Sequence, residues 1–271
     1  MAFDRDIARY YRLGAESHRL REPGGRLEFV RTQELLSRFL PSPPATVADI
    51  GGGAGVHAVP LAAAGYDVEL LDPVELHVEQ ALAHAREQRA RLRARIGDAR
   101  KLPYADGSVD VALLLGPLYH LTERDARRAA LREARRVLRA GGLLAAAAIS
   151  RFASTFDGLA RGFLADPRFE RIVERDLRDG QHRNPDVESR PEWFTTAYLH
   201  HPDELRSELE DAGARVEAIV AVEGPGSFRP ELDRWLDYAE RREVLLRAIR
   251  RVETEPALLG ASAHLIAFGR A

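Results

Sequence analysis

The chain has 271 residues, 45% of them hydrophobic, enough for one full-sized α/β domain with an added cap. Forty Lys and Arg against forty-two Asp and Glu leave a formal charge of −2, which argues against a general electrostatic grip on nucleic acid. Cysteine is absent, so disulfides, thiolate nucleophiles and zinc–thiolate sites are excluded. With no apolar run near ~18 residues and no basic-then-apolar leader, a cytoplasmic protein with no membrane span is the expectation.

Residues 4–20 and 25–40 read as two helices separated by Pro23-Gly24-Gly25. Leu27, Val30, Leu35, Leu36 and Phe39 share much of one face of the second. Pro41-Ser42-Pro43-Pro44 ends that helix. Then come strand 46–50, helix 55–64, strand 67–71, helix 74–92, strand 94–97, strand 109–115, helix 123–139 and strand 142–149. Strands alternating with helices predict a doubly wound parallel sheet. Past 150 the pattern breaks into an aromatic-rich stretch, 151–200, before a helix from Pro202 to Ala212-Gly213 and a strand at 215–220. A helix near 230–250 and a last strand, 264–268, close the chain.

The most telling run is Thr46-Val47-Ala48-Asp49-Ile50-Gly51-Gly52-Gly53-Ala54-Gly55. A β-branched strand runs into glycines that let the backbone turn sharply and approach a ligand at a helix N-terminus. The next strand ends on Asp72, where a carboxylate can accept hydrogen bonds from both hydroxyls of a ribose. A dinucleotide site wants G-x-G-x-x-G, with room for a pyrophosphate. Here the third glycine comes one residue early, as Gly51-x-Gly53-x-Gly55.

Three further motifs follow in order: Arg95-Ile96-Gly97-Asp98-Ala99, Leu102-Pro103-Tyr104-Ala105-Asp106-Gly107-Ser108-Val109-Asp110, and Arg136-Val137-Leu138-Arg139-Ala140-Gly141-Gly142. Together with the glycine loop they resemble the core of class I S-adenosylmethionine-dependent methyltransferases of the small-molecule type, a bacterial group of largely uncharacterised members. The third motif carries Ala140 where the family has proline. The resemblance implies a Rossmann-like seven-stranded sheet of order 3-2-1-4-5-7-6 with an antiparallel last strand. It divides one domain into an N-terminal helical lid (1–44), a cofactor-binding half (45–150), a substrate cap insertion (151–200) and the C-terminal half of the sheet (201–271).

The resemblance also implies S-adenosylmethionine as cofactor. Gly51, Gly52 and Gly53 would lie beside its methionine part, with Asp49 near the ammonium and Asp72 on the ribose. Asp98 and Ala99 would hold the adenine edge, with Leu71, Pro73 and Leu102 on its faces and Gly116 and Leu118 along the sulfonium. Tyr11 and Arg19, in a lid-like Tyr10-Tyr11-x-x-Gly14-x-Glu16-x-x-Arg19, would reach the cofactor carboxylate or the acceptor.

After the fourth strand, His120 is the candidate for taking the acceptor's proton and Tyr119 for shaping its pocket. His120 reads equally well as a structural histidine. Glu16 and Arg31 read as ion-pair partners on helix surfaces, Glu204/Glu208 and the arginines of helix 123–139 as solvated charge. His200-His201 place one ring within possible reach of the pocket, but their spacing gives no metal site. The expected function is methyl transfer to an oxygen or nitrogen of a small molecule, with no nucleic-acid or membrane partner and the oligomeric state open. The alternatives are an RNA or protein methyltransferase, or an inactive cofactor-binding regulator. Gly116-Pro117-Leu118-Tyr119 stands where a base-nitrogen methyltransferase carries Asn/Asp-Pro-Pro-Tyr.

Overall fold

The computed structural model describes residues 25–271 together with Ile7, Tyr10 and Tyr11, which are helical. The first continuous element is α1 (Arg26–Phe39), whose buried Leu27, Leu35 and Leu36 seat it on the domain. Then β1 (Thr46–Ile50), α2 (Ala58–Ala63), β2 (Asp67–Asp72), α3 (Glu75–Glu87) and β3 (Leu92–Ile96) build one half of a sheet. The helix expected to run to 92 stops at Glu87, and Arg89 turns the chain with a positive φ of 54°.

The other half starts with β4 (Val109–Leu114) and the short α4 (Pro117–His120). The amphipathic α5 (Arg124–Val137) leads into β5 (Leu138–Ser150). That strand begins four residues ahead of the expected 142, because Leu138 already pairs with Val109 before a register shift around the Gly141-Gly142 turn. Beyond it lie α6 (Ala153–Arg161), α7 (Pro167–Asp179), a hairpin of β6 (Gln181–His182) and β7 (Ala197–His200), and α8 (Pro202–Asp211). The chain finishes through β8 (Arg215–Ala221), α9 (Leu232–Asp237), α10 (Ala239–Arg250), α11 (Pro256–Leu259) and β9 (His264–Arg270). The helix expected near 230–250 is thus two, broken at the extended Tyr238.

Pairing is parallel from β3 through β2, β1 and β4 to β5, and β9 lies antiparallel between β5 and β8. Counting β8 and β9 as the sixth and seventh core strands gives the order 3-2-1-4-5-7-6. β7 pairs with Ile149 and Ser150 of β5 on the edge that β4 vacates, so the hairpin sits above the carboxyl end of β4. Two apolar layers sandwich the sheet. One packs Leu131, Ala134, Val137 and Leu205 under one face; the other packs Leu35, Leu36, Leu61 and Ala81 under the opposite face. At about 25 cal/mol per Å² of apolar surface, these layers carry most of the fold's stabilisation.

The arginines of α5 are not all solvated. Arg127 is 1% exposed and donates to both Glu208 oxygens at 2.7–3.1 Å and to the Leu121 and Thr122 carbonyls at 2.9 Å. Its guanidinium lies 3.7 Å from the Tyr198 ring centre. Burial pushes the Glu208 carboxyl up, but hydrogen bonds from His200 and Arg127 outweigh it and carry it down to about 2. Arg31, expected on a helix surface, is likewise fully buried, bonded to Glu34, Glu253 and the Val222 carbonyl. Tertiary partners satisfy these guanidiniums, which is what permits their burial.

Candidate functional site

The carboxyl ends of β1, β2, β3 and β4 open onto one cavity of about 840 Å³, at the point where strand order reverses between β1 and β4. The sequence-predicted Tyr11, Asp49, Gly51, Gly52, Gly53, Asp72, Pro73, Asp98, Ala99, Gly116, Tyr119 and His120 all line it. Leu102 and Leu118 do not. They are 4% and 0% exposed and belong to the apolar core, as does Leu71 at 1%. Arg19 and Glu16 lie outside the described residues.

The floor is the glycine loop. Gly51 has φ 69°, and a Cβ there would meet Pro117 at 2.9 Å, so β1 and β4 exit side by side only because the residue is glycine. At Gly52 a Cβ would sit 2.5 Å from Asp49 Oδ2. Asp49 is 1% exposed, and its Oδ2 is a buried oxygen with no hydrogen-bond partner. Burial, with the nearby Asp72 charge, pushes its carboxyl up to about 7. A buried acceptor beside a bare glycine cradle is a place for a cationic ligand group. That is the fit expected for the ammonium of S-adenosylmethionine.

Asp72 ends β2 with both oxygens engaged. Oδ2 accepts from Gly53 N–H at 2.9 Å, and Oδ1 from Val74 N–H at 2.9 Å and His77 Nδ1 at 3.0 Å. Asp98 is tied differently: Arg100 donates to it from its backbone N–H at 2.9 Å and from its guanidinium. These bonds, led by the Arg100 side chain, hold the Asp98 carboxyl below its usual range. Both carboxylates that the sequence analysis assigns to the nucleoside line the cavity, and both have protein partners. Ile96, 55% exposed and lining the cavity, takes the apolar position expected of Leu71 and Leu102.

The roof comes from far along the chain. The Tyr11 hydroxyl and His120 Nε2 share a hydrogen bond, and His120 Nδ1 faces the Thr196 carbonyl at 3.4 Å. A carbonyl only accepts, so Nδ1 carries the proton and Tyr11 donates to Nε2. The Tyr11 ring also meets His77 edge-on at 4.8 Å. Phe194 approaches Tyr10, Tyr119 and His120 at 5.6, 6.3 and 5.8 Å, held at a positive φ of 67° that is unusual for an aromatic residue. His120 thus fastens the roof, and neither nitrogen is poised as expected for proton removal.

Phe163, Phe169 and Trp193 pack on one another in a separate cluster. His200 is fully buried against Glu208, and burial lowers its pKa, while His201 caps α8. Sequence reasoning missed Glu28, His57, His77 and Arg100, which line the cavity. Only His77 and Arg100 had a local signal, through their short spacing to Asp72 and Asp98.

Comparison with known proteins agrees with this geometry. Residues 47–142 match the methyltransferase domain family. An O-methyltransferase of Pyrenophora dematioidea is 32% identical over 120 residues, 43% of each chain. The ubiquinone biosynthesis O-methyltransferase of Caulobacter vibrioides is 31% identical over 134 residues, 46% of this chain and 52% of that one. The chain therefore spans about half the length of the curated relatives it matches. A Thermotoga maritima structure described as a possible histamine N-methyltransferase superposes with TM-score 0.58 at 19% identity, over 97% of this chain and 99% of that one. Sheet order and domain match agree that residues 47–142 form a methyltransferase domain within a Rossmann-like sheet of the order that S-adenosylmethionine-dependent methyltransferase structures share.

Proposed function

We propose that the protein transfers a methyl group from S-adenosylmethionine to an oxygen or nitrogen atom of an uncharged or cationic small molecule. The observation that carries this reading is the unpartnered Asp49 Oδ2, buried beside Gly52 at the floor of the cavity. Asp49 would hold the methionine ammonium and Asp72 the ribose hydroxyls. The Ala99 backbone and Ile96 would offer the adenine a donor and an apolar face. When bound, the cofactor supplies an electrophilic methyl on a sulfonium, and the protein aligns the acceptor with it, excludes water and receives a proton.

Cavity charge supports the acceptor class. Among its described lining residues are six carboxylates (Glu28, Asp49, Asp72, Asp98, Glu123 and Asp125) and one guanidinium, Arg100, already paired with Asp98. A carboxylate or phosphate on the acceptor would face repulsion there. The matched relatives named as O-methyltransferases support oxygen as the target, and the Thermotoga neighbour's name leaves nitrogen in play. Among the described residues no helix is long and apolar enough to cross a membrane.

Calorimetry with S-adenosylmethionine tests the reading. Saturable heat is expected, and none at high micromolar ligand would sink it. An RNA substrate would instead show tRNA binding that weakens steeply between two salt concentrations.

A further inference from the structure

Phe194 carries a backbone that its side chain disfavours. Its φ of 67° and ψ of −165° fall in a region that glycine alone populates freely. A bulky residue stays there only where its surroundings over-determine it, and such strain gathers where a side chain has to be aimed.

The peptide groups on either side of Phe194 are both pinned. Before it, the buried Trp193 ring packs on Phe169 at 5.4 Å, with the guanidiniums of Arg168 and Arg190 at 5.2 and 5.3 Å. The Trp193 carbonyl accepts from His182 Nε2 at 2.9 Å, and His182 Nδ1 is bonded to Asp176 Oδ2 at 2.8 Å. His182 and Asp176 are both buried. After it, the Phe194 carbonyl accepts from the Asn184 amide at 2.8 Å. The same nitrogen donates to the Arg190 carbonyl at 2.9 Å, while Asn184 Oδ1 accepts the Asp186 N–H at 2.9 Å. Asn184 thus spends its donors and its acceptor on the backbone of one loop.

The ring this loop presents meets the roof of the cavity. Tyr10 stands edge-on to Phe194 at 5.6 Å, His120 lies at 5.8 Å and Tyr119 at 6.3 Å. Tyr119 and His120 line the cavity, and Phe194 backs them from behind. His120 bonds the Tyr11 hydroxyl, and the Tyr10 and Tyr11 rings meet edge-on at 5.5 Å. One ring therefore supports both partners of the Tyr11–His120 contact, the histidine directly and Tyr11 through Tyr10.

Resting on the reading that S-adenosylmethionine occupies this cavity, we propose that Phe194 is a positioning residue for the reaction. Asn184 and the Asp176–His182 pair hold the loop in its strained form, which presses Phe194 against Tyr10 and His120 and keeps the roof closed over bound cofactor. The cap thereby sets how long the methyl donor stays. Such a closure acts on release more than on capture, because a departing ligand has to displace the roof.

The test uses the full chain with S-adenosylmethionine and S-adenosylhomocysteine as probes. In stopped-flow displacement, Phe194→Ala is expected to release S-adenosylhomocysteine about five- to tenfold faster, with its association rate within about twofold of wild type. Phe194→Tyr keeps the ring and is expected to stay within about twofold. Asn184→Ala bonds no part of the cavity, yet is expected to speed release about threefold. The Phe194→Ala/Asn184→Ala double variant should release no faster than Phe194→Ala. Lost packing alone would lower the melting temperature and leave release unchanged. Phe194→Gly is expected to melt at or above Phe194→Ala, the reverse of what glycine does at an unstrained position. Should Phe194→Ala fail to fold, Phe194→Leu and Asn184→Ala carry the same comparison. Release within twofold of wild type in folded Phe194 and Asn184 variants overturns the proposal, and so does Phe194→Gly melting below Phe194→Ala. Wild-type protein that gives no heat with either probe overturns the methyl-transfer reading itself, which separates the two failures.

Discussion

Asp72 Oδ2 accepts the Gly53 N–H at 2.9 Å, so the carboxylate that ends β2 also holds the glycine loop that follows β1. Its other oxygen takes Val74 N–H and His77, which closes the turn into α3. One side chain thereby sets the shape of two neighbouring strand exits. Asp72→Ala is expected to weaken S-adenosylmethionine binding at least tenfold and to lower the melting temperature, because three donors lose their acceptor. Calorimetry and thermal melts of the same variant read both effects. Unchanged affinity would remove Asp72 from the site.

With Asp49 as the proposed ammonium site, cofactor binding is expected to depend on pH. Its folded-state carboxyl is raised to about 7 from 3.8, so the folded ligand-free protein binds more protons than the unfolded chain between those values. Stability from this group is therefore lost as pH rises from about 4 towards 7. A cationic ligand reverses the preference by stabilising the ionised form. Affinity is expected to fall about tenfold per pH unit below 7, and Asp49→Asn should flatten that slope while weakening binding above 7. Titrations at pH 5.5, 6.5 and 7.5 would test it.

The Arg127–Glu208 pair is a stability element with a functional reach, since Arg127 also holds the carbonyls of Leu121 and Thr122, which line the cavity. Arg127→Met leaves a buried carboxylate uncompensated and is expected to cost about 3–5 kcal/mol in urea unfolding. The Arg127→Met/Glu208→Met double variant should cost less than Arg127→Met. Glu208, with its pKa lowered to about 2 from 4.5, contributes stability that is present above 4.5 and lost as pH falls towards 2. The double variant should lack that acid-side loss.

Tyr11 and His120 act as one latch across the cavity. Tyr11→Phe and His120→Ala are each expected to speed cofactor release several-fold, and the double variant should release it no faster than the worse single one. Stopped-flow displacement measures this. Additive effects would show that the hydroxyl and the ring work independently.

The strand–glycine–helix unit was legible because its signals are local. Thr46 to Ile50, Gly51 to Gly53 and Asp72 lie within three elements, and backbone preference with burial suffices to place them. The helix–strand alternation to residue 150 was legible for the same reason. The cap was not: its aromatics pair with one another through α6, α7 and the hairpin, a choice that composition does not encode. Asp98 lies at the cavity wall, and its capture by Arg100 depends on how the turn after β3 folds back.

The sequence by itself determined the alternation of strands and helices and the glycine loop, since both follow from near-neighbour periodicity and glycine geometry, while the strand order was implied by the family resemblance. Only the tertiary structure decided which ionisable groups are committed to holding the protein together and which face the cavity. Glu28 meets Glu223 and His264 from a segment nearly two hundred residues or more away, and Tyr11 meets His120 across 109 residues. Whether a carboxylate is paired, orphaned or poised is set by what the folded chain brings within about 3 Å of it, and sequence separation carries no record of that.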